Sequence, residues 1–191
     1  MDSQQAIEIL QQVIVWDRGA LDTVTFFLDM NPAVKGGWEG WLQVTYARWA
    51  LDSVLKGGNF EREVAFPETT NYCDLKFTPA RGANVWLELK TQRYFGYKNT
   101  VYEFEGDLLK IQGLSTEFRK NNVVVAAAVF GALSDIDRTM LSDLRNKVKS
   151  GSMTYLLFTG KASDYWRDVT KDIVNTKLEA SQLLLATFKA S

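Results

Sequence analysis

Between residues 3 and 16 the apolar positions Ala6, Ile9, Leu10, Val13 and Ile14 recur at helical spacing, with Asp2 or Ser3 placed to cap the first turn. Residues 18–30 read as a second helix closed by Asn31-Pro32. After Gly36-Gly37 the stretch WEGWLQVTYARWALDSVL, residues 38–55, reads as a third, ended by Gly57-Gly58. The texture then changes. Residues 60–66, 72–78 and 84–92 are short runs rich in aromatic and β-branched residues, set apart by turn-like Pro67 to Asn71 and Pro79 to Ala83. They predict three consecutive strands in antiparallel sequence. A helix is expected over 103–120, and VVVAAAVFG at 123–131 has the continuous apolar character of a strand buried on both faces. Ser134 is the expected cap of a helix running to about Lys149, Met153 to Thr159 reads as another buried strand, and 163–188 as a closing helix.

The predicted order is α-α-α-βββ-α-β-α-β-α, an α/β chain with a mixed sheet and helices on both faces. With 191 residues, no repeat and no Ser/Gly/Pro-rich linker, one domain is expected. It divides into an N-terminal helical extension (1–33), a core (37–131) and a C-terminal α-β-α addition (132–191).

Composition narrows the chemistry. The chain has no histidine and one cysteine, which removes Ser-His-Asp and Cys-His nucleophile systems, imidazole zinc sites and thiolate clusters. Carboxylates, amines, hydroxyls and a hard metal ion remain. The 22 basic and 23 acidic residues nearly cancel, so any polyanionic partner has to be met by a local basic groove. No apolar stretch reaches the roughly 18 residues that span a bilayer. The opening MDSQQAIEIL lacks the charge-then-apolar pattern of a signal peptide, so a cytoplasmic protein without membrane contact is expected.

The segment NVWLELKTQ at 84–92 concentrates the candidate chemistry. Alternation places Val85, Leu87 and Leu89 on one face and Glu88, Lys90 and Gln92 on the other. In the preceding strand Cys73, Leu75 and Phe77 are expected to face one way, and Tyr72, Asp74 and Lys76 the other. If the two strands are neighbours, Asp74 lies beside Glu88 and Lys90. Two close carboxylates repel unless a cation or proton sits between them, and oxygen ligands favour magnesium or manganese over zinc. An amphipathic hairpin can equally carry Asp, Glu and Lys on a solvated face. Glu39, set between Trp38 and Trp41, is a carboxylate in apolar surroundings and needs a partner. Its plainer role is that of a first-turn acid favourable to the helix dipole.

A helix with Glu39, then strands with Asp74 and Glu88-Leu89-Lys90, then a helix and a buried strand, resembles the PD-(D/E)xK nuclease superfamily. The resemblance covers residues 37–131, with Gln92 as in subfamilies bearing Glu-x-Lys-x-Gln; Cys73 stands where the family name has proline. It implies a restriction-endonuclease-like αβββαβ core with added terminal helices. It also implies Mg2+- or Mn2+-dependent hydrolysis of phosphodiesters, in DNA before RNA and by endonuclease action before exonuclease. Asp74, Glu88 and the Leu89 carbonyl would bind the metal, with Glu39 holding a metal-bound water or second ion. Lys90 would orient the attacking water or stabilise developing charge, and Gln92 would position Lys90 or contact phosphate.

Substrate contact is expected just after the active strand. There Arg93 and Lys98 can neutralise phosphates, and Tyr94, Phe95, Tyr97 and Tyr102 can stack on bases, or the aromatics simply pack on the helices. Arg81 is a weaker candidate. Trp16, Phe26 and Phe27 suit helix packing or a homodimer interface, since cutting a duplex usually takes two sites. The alternatives are a catalytically inactive nuclease-like binding or immunity protein and a carboxylate-rich structural domain.

Overall fold

The computed structural model describes residues 1–16, 39–67, 69–92, 97–131, 136–159, 165–179 and 182–191. The elements are α1 (Ser3–Trp16), α2 (Glu39–Ser53), β1 (Asn59–Ala65), β2 (Tyr72–Thr78), β3 (Val85–Thr91), α3 (Tyr97–Gln112), α4 (Thr116–Asn121), β4 (Val123–Phe130), α5 (Arg138–Lys147), β5 (Gly151–Phe158), β6 (Trp166–Asp168) and β7 (Leu183–Ala190). The strands form one mixed sheet in the order β1-β2-β3-β4-β7-β5-β6. β3 and β4 pair parallel across the α3–α4 crossover, and the other pairs are antiparallel. No described helix is long and apolar enough to cross a membrane.

Two cores follow from the strand alternation. On one face Val85, Leu87, Leu89, Val125, Ala127, Val129, Leu183 and Leu185 meet α1 and α2. On the other, Trp86, Val124, Ala126, Ala128, Phe130, Leu184, Ala186 and Phe188 meet α3 and α5. α1 begins with a reciprocal cap, the Gln5 N–H on Asp2 Oδ1 and the Asp2 N–H on Gln5 Oε1, both 2.8 Å, so Asp2 takes the capping role. The buried Tyr46 hydroxyl donates to the Ala6 carbonyl at 3.0 Å and ties α2 to α1. Behind α2 the chain turns at Gly58, where a Cβ would stand 2.9 Å from the carbonyl oxygens of Leu55 and Thr78. Only glycine fits that turn without a shift of backbone.

Three expectations change. The closing helix over 163–188 is replaced, in its described residues, by the short edge strand β6, turns through 170–175, and β7. Leucine and alanine favour a helix in isolation. Here Leu183 to Phe188 instead fill a central strand, buried on both faces between β4 and β5, and tertiary burial overrides the local preference. The helix expected over 103–120 starts at Tyr97 and breaks at Gly113-Leu114. It restarts as α4, where the Ser115 hydroxyl caps the Phe118 N–H at 3.1 Å. The third change is within β2: Leu75 and Phe77 join the first core, but Cys73 packs in the second. The expected helix over 18–30 and the Ser134 cap lie outside the described residues. α5 is capped by Asp137, which accepts the Thr139 N–H at 2.9 Å.

Candidate active site

The break in β2 opens the site. β2 pairs with β3 at Phe77–Val85, Lys76–Trp86 and Leu75–Leu87, and there the ladder stops, while β3 runs on to Thr91 against β4. Across the other edge of β2, the pairing with β1 passes over Glu63 and Asp74, and Glu63 carries a φ of +51°. A non-glycine residue in the left-handed region is strained by about 1–2 kcal/mol, so distortion gathers opposite Asp74.

In an antiparallel pair, residues two apart point both backbone groups to the same edge. The N–H groups of Leu89 and Thr91 therefore face the side that β2 has left. Acidic side chains take them instead of a strand: Asp74 Oδ2 accepts the Leu89 N–H at 2.7 Å, and Glu39 Oε2 accepts the Thr91 N–H at 3.3 Å. The Leu89 carbonyl faces this same opened edge. Glu39 reaches it from the start of α2, whose Leu42, Tyr46, Ala47 and Ala50 are buried on the first core.

Glu88 and Lys90 point to the opposite face, where α3 packs on β3 and β4. That face is dry at this point, since Glu88 is 2% exposed. Val101, Phe104, Leu108 and Ile111 form the buried stripe of α3, and Asp107 and Lys110 project beside it. Lys110 Nζ bonds Glu88 Oε1 at 2.8 Å, Asp107 Oδ1 at 2.9 Å and the Tyr72 carbonyl at 3.1 Å. Lys90 Nζ stands 3.6 Å from Glu39 Oε1 and 3.7 Å from Asp107 Oδ2. Lys90 thus links the helices of both faces. Asp107 Oδ2 is buried and accepts no hydrogen bond.

The electrostatics follow from crowding. Burial pushes the Glu88 carboxyl up to about 8, helped by the negative charges of Asp107 and Asp74; the Lys110 contact only partly opposes this. Burial likewise raises Asp107, against the pull of Lys90 and Lys110. Burial works to lower both lysines, but Asp107 and Glu39 outweigh it at Lys90, as do Glu88 and Asp107 at Lys110, and both end raised. The lysines are ammonium groups at neutral pH. Of the two raised carboxyls, Glu88 is the less exposed and keeps its proton near neutral pH. Fully ionised, Glu39, Asp74, Glu88 and Asp107 exceed the two lysines by two negative charges. That excess, the hard oxygen donors and the orphaned Asp107 Oδ2 fit a divalent cation.

Asp107 and Lys110 escaped the sequence reading. Their signal was available: in FEGDLLKI, Asp107 falls between Phe104, Leu108 and Ile111, on the buried side of the helix. Gln92 follows directly on the last residue of β3. Its Oε1 accepts the Gly131 N–H at 3.0 Å and its N–H bonds the Val129 carbonyl at 2.9 Å, pinning the ends of β3 and β4 together. Arg93, Tyr94 and Phe95 lie outside the described residues, as does the side chain of Tyr97. The segment from 97 to 104 is helical, with Lys98 and Tyr102 exposed and Phe104 buried. Arg81 is exposed in the β2–β3 turn.

A cavity of about 530 Å3 opens elsewhere, lined among others by Pro67, Thr69, Ser115, Glu117, Phe118 and Asn122. None of its lining residues belongs to the charged cluster. Burial, with the Glu88 charge beside it, raises the Cys73 thiol well above its ordinary value, and the thiol bonds the Leu75 and Leu87 carbonyls. No family model, no curated protein and no solved structure matches this chain.

Proposed function

We propose that this protein is a metal-dependent nuclease that hydrolyses nucleic-acid phosphodiesters, DNA foremost, on a restriction-endonuclease-like core. The observation that carries the reading is the placement of buried Glu88 and half-buried Lys90 beside a strand edge where Asp74 and Glu39 replace a neighbouring strand. Burying such groups costs several kcal/mol, and an α/β sheet needs none of them for its core.

Asp74, Glu88 and the Leu89 carbonyl would hold Mg2+ or Mn2+, with Asp107 as a further oxygen donor. The ion would supply a water of lowered pKa and polarise the phosphoryl oxygen. Lys90, held as an ammonium by Asp107 and Glu39, orients that water and stabilises the negative charge that develops on the phosphate. Glu39 positions Lys90 from the start of α2. Lys98 neutralises a backbone phosphate and Tyr102 offers a stacking surface, both exposed on the first turns of α3. A two-copy assembly would supply the second site that duplex cleavage needs.

The seat of Lys110 on Glu88 favours a second reading, a nuclease-like protein that binds without cutting. Incubation with supercoiled plasmid, linear single-stranded DNA and RNA, in Mg2+ and in Mn2+, separates the two. Cleavage that Asp74→Ala and Glu88→Ala abolish is expected. No cleavage of any substrate in either metal would leave the binding reading standing.

A further inference from the structure

Lys110 stands where the proposed ion's ligands are. An ammonium has three donors, and all three are used here on oxygens at 2.8, 2.9 and 3.1 Å: two carboxylates and a main-chain carbonyl. That is the ligand chemistry a hard divalent ion takes. Lys110 bridges Glu88 and Asp107, and Lys90 bridges Glu39 and Asp107.

We propose that Lys110 is the resident cation of this site. It holds Glu88 in the metal-free protein and gives Glu88 up when a divalent ion binds, so lysine and metal exclude each other there. The inference rests on the metal-dependent reading above. The geometry makes the exchange inexpensive. Asp107 lies three residues before Lys110 on the same helix, so the ammonium can leave Glu88 and keep its partner. The Lys110 side chain is 26% exposed, whereas that of Glu88 is 2% exposed. A flexible four-carbon stem can swing toward water while the buried carboxylate stays in place. The device sets a threshold: without metal Lys110 holds the site closed, and the site assembles only above the metal concentration that displaces the lysine.

Mn2+ titration of the full chain, read by loss of the free-ion electron paramagnetic resonance signal, tests this without any cleavage assay. A hydrogen bond to a charged group contributes about 1.5–3 kcal/mol, so removing the competitor should tighten binding by about tenfold or more. Lys110→Gln is expected to bind Mn2+ that much more tightly than the wild type, and Lys110→Arg, which keeps charge and reach, no more tightly. Equal or weaker binding by Lys110→Gln, with the wild type still binding, overturns the exchange and leaves the metal-dependent reading intact. No binding by any of the three overturns both.

Amine acetylation of the wild-type chain, mapped by mass spectrometry, gives a readout that needs no variant. Lys110 labelling should rise severalfold when Mg2+ is added, relative to exposed Lys98. An unchanged ratio overturns the proposal.

Discussion

β3 and β4 lie side by side and parallel, and at two matched heights they differ completely. Glu88 is in register with Ala126, and Lys90 with Ala128. Both alanines are fully buried on the α3 face, beside a glutamate that is 2% exposed. β4 shows what this sheet interior accepts at no cost: small apolar side chains that let α3 lie close. β3 carries charges in the same layer. The closeness that Ala126 and Ala128 allow also brings Asp107 and Lys110 of α3 against Glu88 and Lys90. One half of the sheet is dry structure. The other is a polar notch maintained against the preference of its surroundings, and that contrast points to chemistry.

The largest expected effect is on catalysis. Lys90→Ala should lower phosphodiester cleavage by about a hundredfold to a thousandfold, the usual loss for one well-placed electrostatic donor. Mn2+ binding should be retained, since the lysine is not a ligand. Single-turnover cleavage beside a Mn2+ titration checks both. Loss of metal binding together with activity would make Lys90 part of the scaffold and erase the contrast with Ala128.

In the dry half the sharpest constraint is Gly151, at the start of β5. A Cβ there would fall 2.1 Å from the Lys189 carbonyl oxygen and 2.4 Å from the Phe188 ring. Gly151→Ala should cost about 2 kcal/mol in urea denaturation, in the range of overpacked cores, and leave the cleavage rate per folded molecule unchanged.

The pH dependence of stability comes next. Glu88 titrates near 8 in the fold against an ordinary value of 4.5. Below 4.5 the carboxyl is protonated in both states and does not weaken the fold. Between 4.5 and 8 the unfolded chain has lost a proton that the fold retains, so stability falls as pH rises. The slope from this group is at most about 1.4 kcal/mol per pH unit, and it vanishes above 8. In metal-free buffer Glu88→Gln should flatten the decline between pH 5 and 8. Parallel curves for variant and wild type would mean that Glu88 is ionised throughout.

The smallest effect is at the distorted edge. Glu63→Gly should gain about 0.5 kcal/mol, the left-handed strain it relieves being partly offset by glycine's own entropy.

The order of helix, three strands, helix and buried strand over 37–131 is legible in the chain because each segment carries its own periodicity. β7 was not legible, because LLLATF has no period and its neighbours favour helix; only its place between β4 and β5 makes it a strand. Val85, Leu87 and Leu89 face the first core as alternation requires. Cys73 departs from the side of Leu75 because pairing fails at Asp74, a fact about register that one strand's sequence does not hold. Lys90 could be placed beside Glu39 only as a consequence of two helices closing on opposite faces. Asp107 and Lys110 were visible as charges on a helix, but as partners of Glu88 only once α3 was laid across β3.

The central claim is that the notch is kept for chemistry and not for the fold. Urea denaturation of the triple variant Glu88→Met, Asp107→Leu, Lys110→Met in metal-free buffer tests it most directly, because it removes Glu88, Asp107 and Lys110 together and leaves Lys90 its Glu39 partner. Well-packed apolar replacements of buried ion networks are neutral or stabilising by about 1–4 kcal/mol, so the account predicts a variant at least as stable as the wild type. A loss of about 3 kcal/mol or more would contradict it, and would make Glu88, Asp107 and Lys110 structural members of the sheet.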